Sequence, residues 1–339
     1  MARPLTRRRL GRSGPDVAEL CLGTMMFGDR TGADEASAMI ARYIGAGGNF
    51  IDTADSYSGG AAERITGRAT EGCRDEIVLA TKVGNPVPGV AGSGGLSAGW
   101  IGRALDASLD RLATDWIDLY WLHLDDEETP LEDTVAALGQ ALTDGKIRAW
   151  GVSNFRGWRV VELMRVADTL GVARPIAGQP YYHALNRLAE IDYLPACAHF
   201  GLGVVPYSPL ARGVLTGKYA SGIPEGSRAA RGDKRIAETE MRPDLLAAAA
   251  RFAAHAETRG VAPADLALAW VTANRAVSSV LIGPRNMEQL DGYLGSTAVT
   301  ADAEDEAAVD AICPAGSVIG QWHDPRYPYR GRITGENGE

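Results

Sequence analysis

The chain has 339 residues, 45% hydrophobic and 23% charged, which excludes a disordered or collagen-like protein and allows a large core. A formal net charge of -9 excludes the broad basic surface that nucleic acid or an anionic membrane would require. No apolar run reaches the roughly 18 to 20 residues of a membrane span, and no signal-peptide core follows the short basic run Arg7 to Arg9, so a cytoplasmic protein is expected.

Short apolar, β-rich runs alternate with amphipathic helical stretches along the chain. The strand-like runs are Leu20 to Leu22, Asn49 to Asp52, Ile77 to Lys82, Trp116 to Leu122, Ile147 to Val152, Ile176 to Gln179, Gly203 to Tyr207 and Ser279 to Ile282. Helical patterns fall between them, at Asp34 to Ala46, Ser97 to Leu112, Leu131 to Leu142 and Trp158 to Leu170, several with Gly or Asp near their ends. Eight such units predict an α/β fold, one (β/α)8 TIM barrel filling residues 1–339 as a single domain, with a short N-terminal hairpin and a C-terminal extension over 315–339. A doubly wound sheet would carry G-x-G-x-x-G between its first strand and helix; here Gly45, Gly47 and Gly48 close a helical pattern instead. The run Gly213-Val214-Leu215-Thr216-Gly217-Lys218-Tyr219 resembles a P-loop but is one residue short and lacks the Ser/Thr after Lys.

Two segments lie outside the barrel scheme. Ser221 to Met241, rich in Gly, Pro and charge, reads as a long excursion after the seventh barrel strand, the kind of loop that is functional when it interrupts a compact domain. The stretch Gly316 to Glu339 carries Trp322, His323, Tyr327 and Tyr329, too aromatic for a plain tail, and is expected to pack, with the pocket mouth as one place for it. Cys21, Cys73, Cys197 and Cys313 contain no C-x-x-C pair and read as free, buried thiols; the five histidines lack metal-ligand spacing, so no metal is expected.

In such a barrel the active site lies at the C-terminal ends of the strands. Asp52 closes the second strand with Tyr57 in its loop, Lys82 closes the third, and His123 lies just past the fourth. A Lys ending an apolar strand at the depth of an Asp is costly to bury unless the two pair. The ammonium then favours phenolate at a neighbouring Tyr, lowering its pKa from about 10 toward the range of a working general acid. His123 is placed to orient a substrate carbonyl. None of the four supplies a hydride, so a reduction here needs a cofactor.

Asp52, Tyr57, Lys82 and His123 match in order and spacing the catalytic tetrad of the aldo-keto reductases, and the chain resembles that family from its N-terminus to about Leu290. The words that carry the resemblance include Gly23-Thr24, Asp52-Thr53-Ala54, Thr81-Lys82, Gly151-Val152-Ser153-Asn154-Phe155, Gln179-Pro180-Tyr181 and Tyr207-Ser208-Pro209-Leu210. The branch it is most similar to holds bacterial aryl-alcohol-dehydrogenase-like reductases and potassium-channel β subunits. The resemblance implies an NADPH-dependent reductase of aldehydes or ketones, with Tyr57 as proton donor and no Rossmann motif. It places Gly23 and Thr24 beside the cofactor, Ser153, Asn154 and Gln179 on the nicotinamide carboxamide, and Tyr207 against the ring. Ser208, Leu210, Gly213 and Lys218 then follow the pyrophosphate, Gly283 the eighth strand end, and Arg228, Arg285 and Gln289 the 2′-phosphate and adenosine. Two Arg forks on a dianionic phosphate favour NADPH over NADH. Many relatives carry Glu-Asn shortly after that Gln, where this chain has Gly292 and Tyr293. Trp121 stands where relatives often have Gln; with Met25, Met26, Phe27, Tyr57 and His123 it is expected to wall an apolar substrate pocket. The alternative is a nicotinamide-nucleotide-sensing regulatory protein on the same fold. Oligomeric state stays open between a monomer and a modest homo-oligomer.

Overall fold

In the computed structural model, which describes residues 3–220 and 222–319, ten strands form two sheets. The hairpin β1 (Arg7–Arg9) and β2 (Asp16–Ala18) is antiparallel. Its Leu10 and Val17 are fully buried, and Gly11 approaches the backbone of Ile176, Gly201 and Gly203 so closely that a Cβ would lie 2.6 Å from two of those atoms. The hairpin therefore plugs the N-terminal end of the larger, eight-stranded sheet.

That sheet runs β3 (Leu20–Gly23), β4 (Phe50–Asp52), β5 (Val78–Val83), β6 (Leu119–Leu122), β7 (Trp150–Ser153), β8 (Ala177–Gln179), β9 (Gly203–Val204) and β10 (Val280–Ile282), all neighbours parallel. β10 pairs with β3, while Ser278 and Leu281 donate to the carbonyls of Val204 and Pro206 at 2.9 and 3.0 Å, so the sheet closes on itself as a (β/α)8 barrel. Around it pack α1 (Ala33–Gly45), α2 (Ala61–Thr70), α3 (Ala98–Leu112), α4 (Leu131–Thr143), α5 (Gly157–Leu170), α6 (Tyr193–Phe200), α7 (Lys234–Thr239), α8 (Pro243–Thr258), α9 (Pro263–Ala273), α10 (Met287–Gly295) and α11 (Ala303–Ile312). No described helix is long and apolar enough to cross a membrane.

Strand alternation explains both cores. Leu79, Val83, Tyr120, Leu122, Trp150 and Val152 face outward under the helices. Phe50, Val78, Ala80, Leu119, Trp121 and Ala177 face inward and fill the barrel. Two residues beyond the last apolar inward position, the same period brings Asp52, Lys82, Ser153 and Gln179 to the C-terminal mouth. The barrel interior thus changes from apolar to polar within one pleat.

The 221–241 excursion, apart from Ser221, includes α7, capped by Asp233, whose side chain accepts from the Arg235 and Ile236 amides. Of the C-terminal extension only its start is described: Val318 bridges Asn186, and Arg242 donates to the Ile319 carbonyl at 2.6 Å. Trp322, His323, Tyr327 and Tyr329 lie outside the described residues. All four cysteines are free; Cys21, Cys197 and Cys313 are buried as expected, but Cys73 is half-buried.

Candidate active site

A cavity of about 600 Å3 opens at the C-terminal mouth of the barrel. At its floor the Lys82 ammonium, fully buried, donates to Asp52 Oδ1, to the Thr53 carbonyl at 2.6 Å and to Tyr57 Oη at 3.2 Å. All three of its protons have acceptors, so the cation is held in one place. Gln179 Nε2 donates to the other Asp52 oxygen at 3.1 Å, and Ser153 Oγ donates to Gln179 Oε1 at 3.1 Å. The polar ends of β4, β5, β7 and β8 form one connected chain.

Burial alone would push the Lys82 ammonium down, but Asp52 and Tyr57 against it outweigh that and hold its pKa above the ordinary value. Lys82 is therefore charged. At Tyr57 burial raises the phenol pKa and Lys82 only partly offsets it, so the phenol stands above its ordinary 10.0. That corrects the sequence expectation of a lowered pKa: removing the ring from water outweighs one cation that is itself shared with Asp52.

Tyr57 begins a tight turn, Tyr57–Gly60, in which Ser58, Gly59 and Gly60 have φ of 49°, 60° and 86°. A Cβ on Gly60 would meet Arg111 Cδ at 2.6 Å, so both backbone conformation and space require glycine there. Arg111 bonds the buried Glu63 at 2.6 Å, and Thr81 donates to Glu63 at 2.6 Å, tying α2, α3 and β5 together behind the turn. Beside this cluster Asp55 is fully buried, and neither carboxylate oxygen has a well-formed hydrogen bond. Burial, then Glu63, pushes its pKa up to about 7, with Arg111, the Ser56 amide and Lys82 opposing.

Most residues singled out from sequence meet in this cavity. Gly23, Met25, Asp52, Tyr57, His123, Ser153, Asn154, Gln179, Tyr207, Ser208, Leu210, Gly213, Lys218, Arg228, Gly283, Arg285 and Gln289 line it. Lys82 lies just beneath. The His123 ring stands edge-on to Tyr57, centroids 5.9 Å apart. Asn154, at φ 60°, donates to the His123 carbonyl and accepts from Tyr207 Oη, both at 2.7 Å, which fixes the Tyr207 ring in the wall.

Three expectations need correction. Trp121 does not wall the pocket: it is fully buried, in register with Lys82, and its ring fills the barrel so completely that a Cβ on Gly151 would lie 2.6 Å from it. Phe27 turns into the outer core. Thr24 is buried behind Gly23, its amide donating to the Asp52 carbonyl at 3.0 Å, and is not among the lining residues.

Sequence reasoning missed a buried latch. Glu240, fully buried at the end of the excursion, accepts from Tyr181 Oη, from Thr239 and from Arg212 Nε at 3.0 Å. His183 contacts Tyr181 Oη at 2.9 Å, and burial depresses its pKa to about 3, so its ring is neutral. The latch holds the excursion over the cavity, where Arg228, Arg231, Arg235 and Glu238 become lining residues.

Cations crowd one end of the cavity. Burial lowers the Lys218 pKa, and Arg285, Arg228 and Arg231 lower it further. Tyr293, one of the two residues that depart from the relatives' pattern, stands in the field of Arg228 and Arg285 in the same wall. A phosphate-bearing ligand would relieve this mutual repulsion. Four cations, the Asn154 and Gln179 amides bridged by Ser153 Oγ, and a phenol on an ammonium fit a nicotinamide dinucleotide.

Comparison with known proteins places the chain in a family. The chain is 37% identical over 292 residues to a probable voltage-gated potassium channel subunit beta from Oryza sativa subsp. japonica, covering 84% of this chain and 88% of that one. It is 36% identical over 316 residues, 90% of this chain and 95% of the other, to the uncharacterized oxidoreductase YrpG from Bacillus subtilis. An L-glyceraldehyde 3-phosphate reductase from Escherichia coli K12 is 33% identical over 301 residues, 84% and 85% of the two chains. Residues 19–313 match the Aldo/keto reductase family. With the eight-stranded barrel and its polar mouth inside that match, the chain belongs to the aldo/keto reductase family.

Proposed function

We propose that this protein is an NADPH-dependent carbonyl reductase in which Tyr57 protonates the substrate oxygen. The observation that carries the reading is the buried Lys82 ammonium bonded at once to Asp52, the Thr53 carbonyl and Tyr57 Oη at the cavity floor. NADPH, when bound, supplies the hydride to the carbonyl carbon. Ser153, Asn154 and Gln179 would hold its carboxamide, Tyr207 its ring, and Lys218, Arg228 and Arg285 its phosphates.

The chain's own residues handle the proton. Tyr57, protonated at neutral pH, donates to the developing alkoxide. Lys82 stabilises the phenolate left behind, and Asp52 keeps Lys82 charged and aimed. His123, beside the Tyr57 ring, orients the carbonyl oxygen.

The test is Tyr57→Phe. It removes one oxygen while Lys82 keeps Asp52 and the Thr53 carbonyl, so folding and NADPH affinity should hold. Turnover of any aldehyde should drop by about 100- to 10,000-fold; a loss under tenfold refutes the role. A second reading, a nucleotide-sensing regulator, is favoured by the likeness to the rice channel subunit. NADPH binding with negligible turnover across a broad carbonyl panel, together with a stable hetero-complex, would establish it instead.

A further inference from the structure

All but one of the cations lining the cavity fall into two groups. Lys218, Arg228, Arg231 and Arg285 crowd one end, and Arg212 is neutralised by the buried Glu240. Arg235 belongs to neither. It stands on α7, is exposed and lines the cavity, and among the described residues its guanidinium makes no ion pair within 4.0 Å, although Asp233 and Glu238 flank it on the same segment. Its field reaches Tyr57, favouring the charged phenolate there alongside Lys82. Met25 and Met26 line the same cavity and offer nothing to a second charge.

The cavity that holds Tyr57 therefore combines a hydrogen-bonding floor, apolar lining at Met25 and Met26, and in Arg235 a guanidinium with no ion-pair partner among the described residues. A neutral carbonyl compound would leave that guanidinium unused. An anion a few atoms from the carbonyl would meet a planar fork suited to carboxylate and phosphate oxygens. Resting on the carbonyl-reductase reading, we propose that Arg235 is a substrate-anion site, so that the substrate is an aldehyde or ketone bearing a carboxylate or phosphate, its carbonyl oxygen on Tyr57 and its anion on Arg235. Because Arg235 arrives on the excursion that Glu240 latches, substrate charge is read only when that segment is in place over the cavity.

The experiment compares 3- and 4-carboxybenzaldehyde with the isosteric, uncharged 3- and 4-nitrobenzaldehyde, using NADPH and the full-length wild type, Arg235→Gln and Arg235→Lys. In Arg235→Gln the ratio of kcat/KM for carboxy over nitro substrates should fall by about 10- to 100-fold, through KM, as expected for one charge-assisted pair. Arg235→Lys should recover part of it, and the wild-type preference should weaken as salt rises. NADPH fluorescence titration should give Kd values within threefold for all three proteins. An unchanged ratio overturns the proposal, as does an NADPH affinity that falls in step with activity, which would assign Arg235 to the cofactor's phosphates. Turnover of nitrobenzaldehydes with no carboxylate preference in the wild type defeats the anion site alone; no turnover of any aldehyde defeats the reductase reading beneath it.

Discussion

Asp55→Asn should make this protein more stable at alkaline pH. Asp55 is completely buried, has no well-formed hydrogen bond to either oxygen, and sits beside Glu63 with only Arg111, Lys82 and the Ser56 amide in its favour. Raising a carboxyl from 3.8 to about 7 means that the folded state holds a proton the unfolded chain has released between those values. Stability is then fully present below pH 4 and is lost as pH rises through 7. The charged form costs about 4 kcal/mol at pH 8 or above relative to a group that did not shift. The amide cannot ionise and is nearly the same size, so most of that loss should disappear. Urea denaturation of both proteins at pH 5 and pH 8 measures it directly. The variant should match or trail the wild type at pH 5 and exceed it by a few kcal/mol at pH 8. Parallel pH dependences in the two proteins would show that Asp55 is ionised in the fold at little cost, and the argument from its missing partners would be wrong.

Paired replacement Arg228→Ala with Arg285→Ala should weaken NADPH by about 100-fold, since each removes a charge-assisted contact, while NADH affinity moves by less than threefold; equal losses by fluorescence titration would place neither on the 2′-phosphate. Glu240→Gln unlatches the excursion by leaving Arg212 short of its counter-charge, so the NADPH dissociation rate in stopped flow should rise by about tenfold or more, with Kd following. A rate within twofold of wild type would mean that the segment stays shut without the ion pair.

The barrel was legible because its strands repeat one pattern, inward apolar residues ending in an inward polar one. Alternation along β5, through Val78, Ala80 and Lys82, already places Lys82 in the mouth. Lengths were less legible. Gly203 to Tyr207 reads as one strand, yet β9 stops at Val204, two residues before Pro206, which has no N–H for the ladder. Trp121 shows where alternation is not enough: it gives the face of the strand but not the depth, and the ring lies one layer below the pocket, over Gly151. The latch was hidden for another reason. Tyr181, Arg212 and Glu240 are joined across 59 and 28 residues of chain, a separation that no local pattern reports.

In the proposed mechanism, the direction of the Tyr57 pKa changes what Lys82 would do. A cation that merely acidified the phenol would, if it succeeded, leave less of the proton donor at working pH. Here burial favours the protonated phenol, and Lys82, above its own ordinary pKa and pinned by three acceptors, is already oriented toward the oxygen that would become negative on proton transfer. Its stabilisation would be small while the phenol is neutral and would grow as the proton leaves, so it would favour the proposed transition state more than the ground state. Asp52 limits the same effect, because its charge offsets part of the field at Tyr57, and that trade keeps an ammonium in the interior at all. The run of bonds from Ser153 through Gln179 to Asp52 then joins the proton machinery to the floor where the nicotinamide would lie, making the geometry of one dependent on the other.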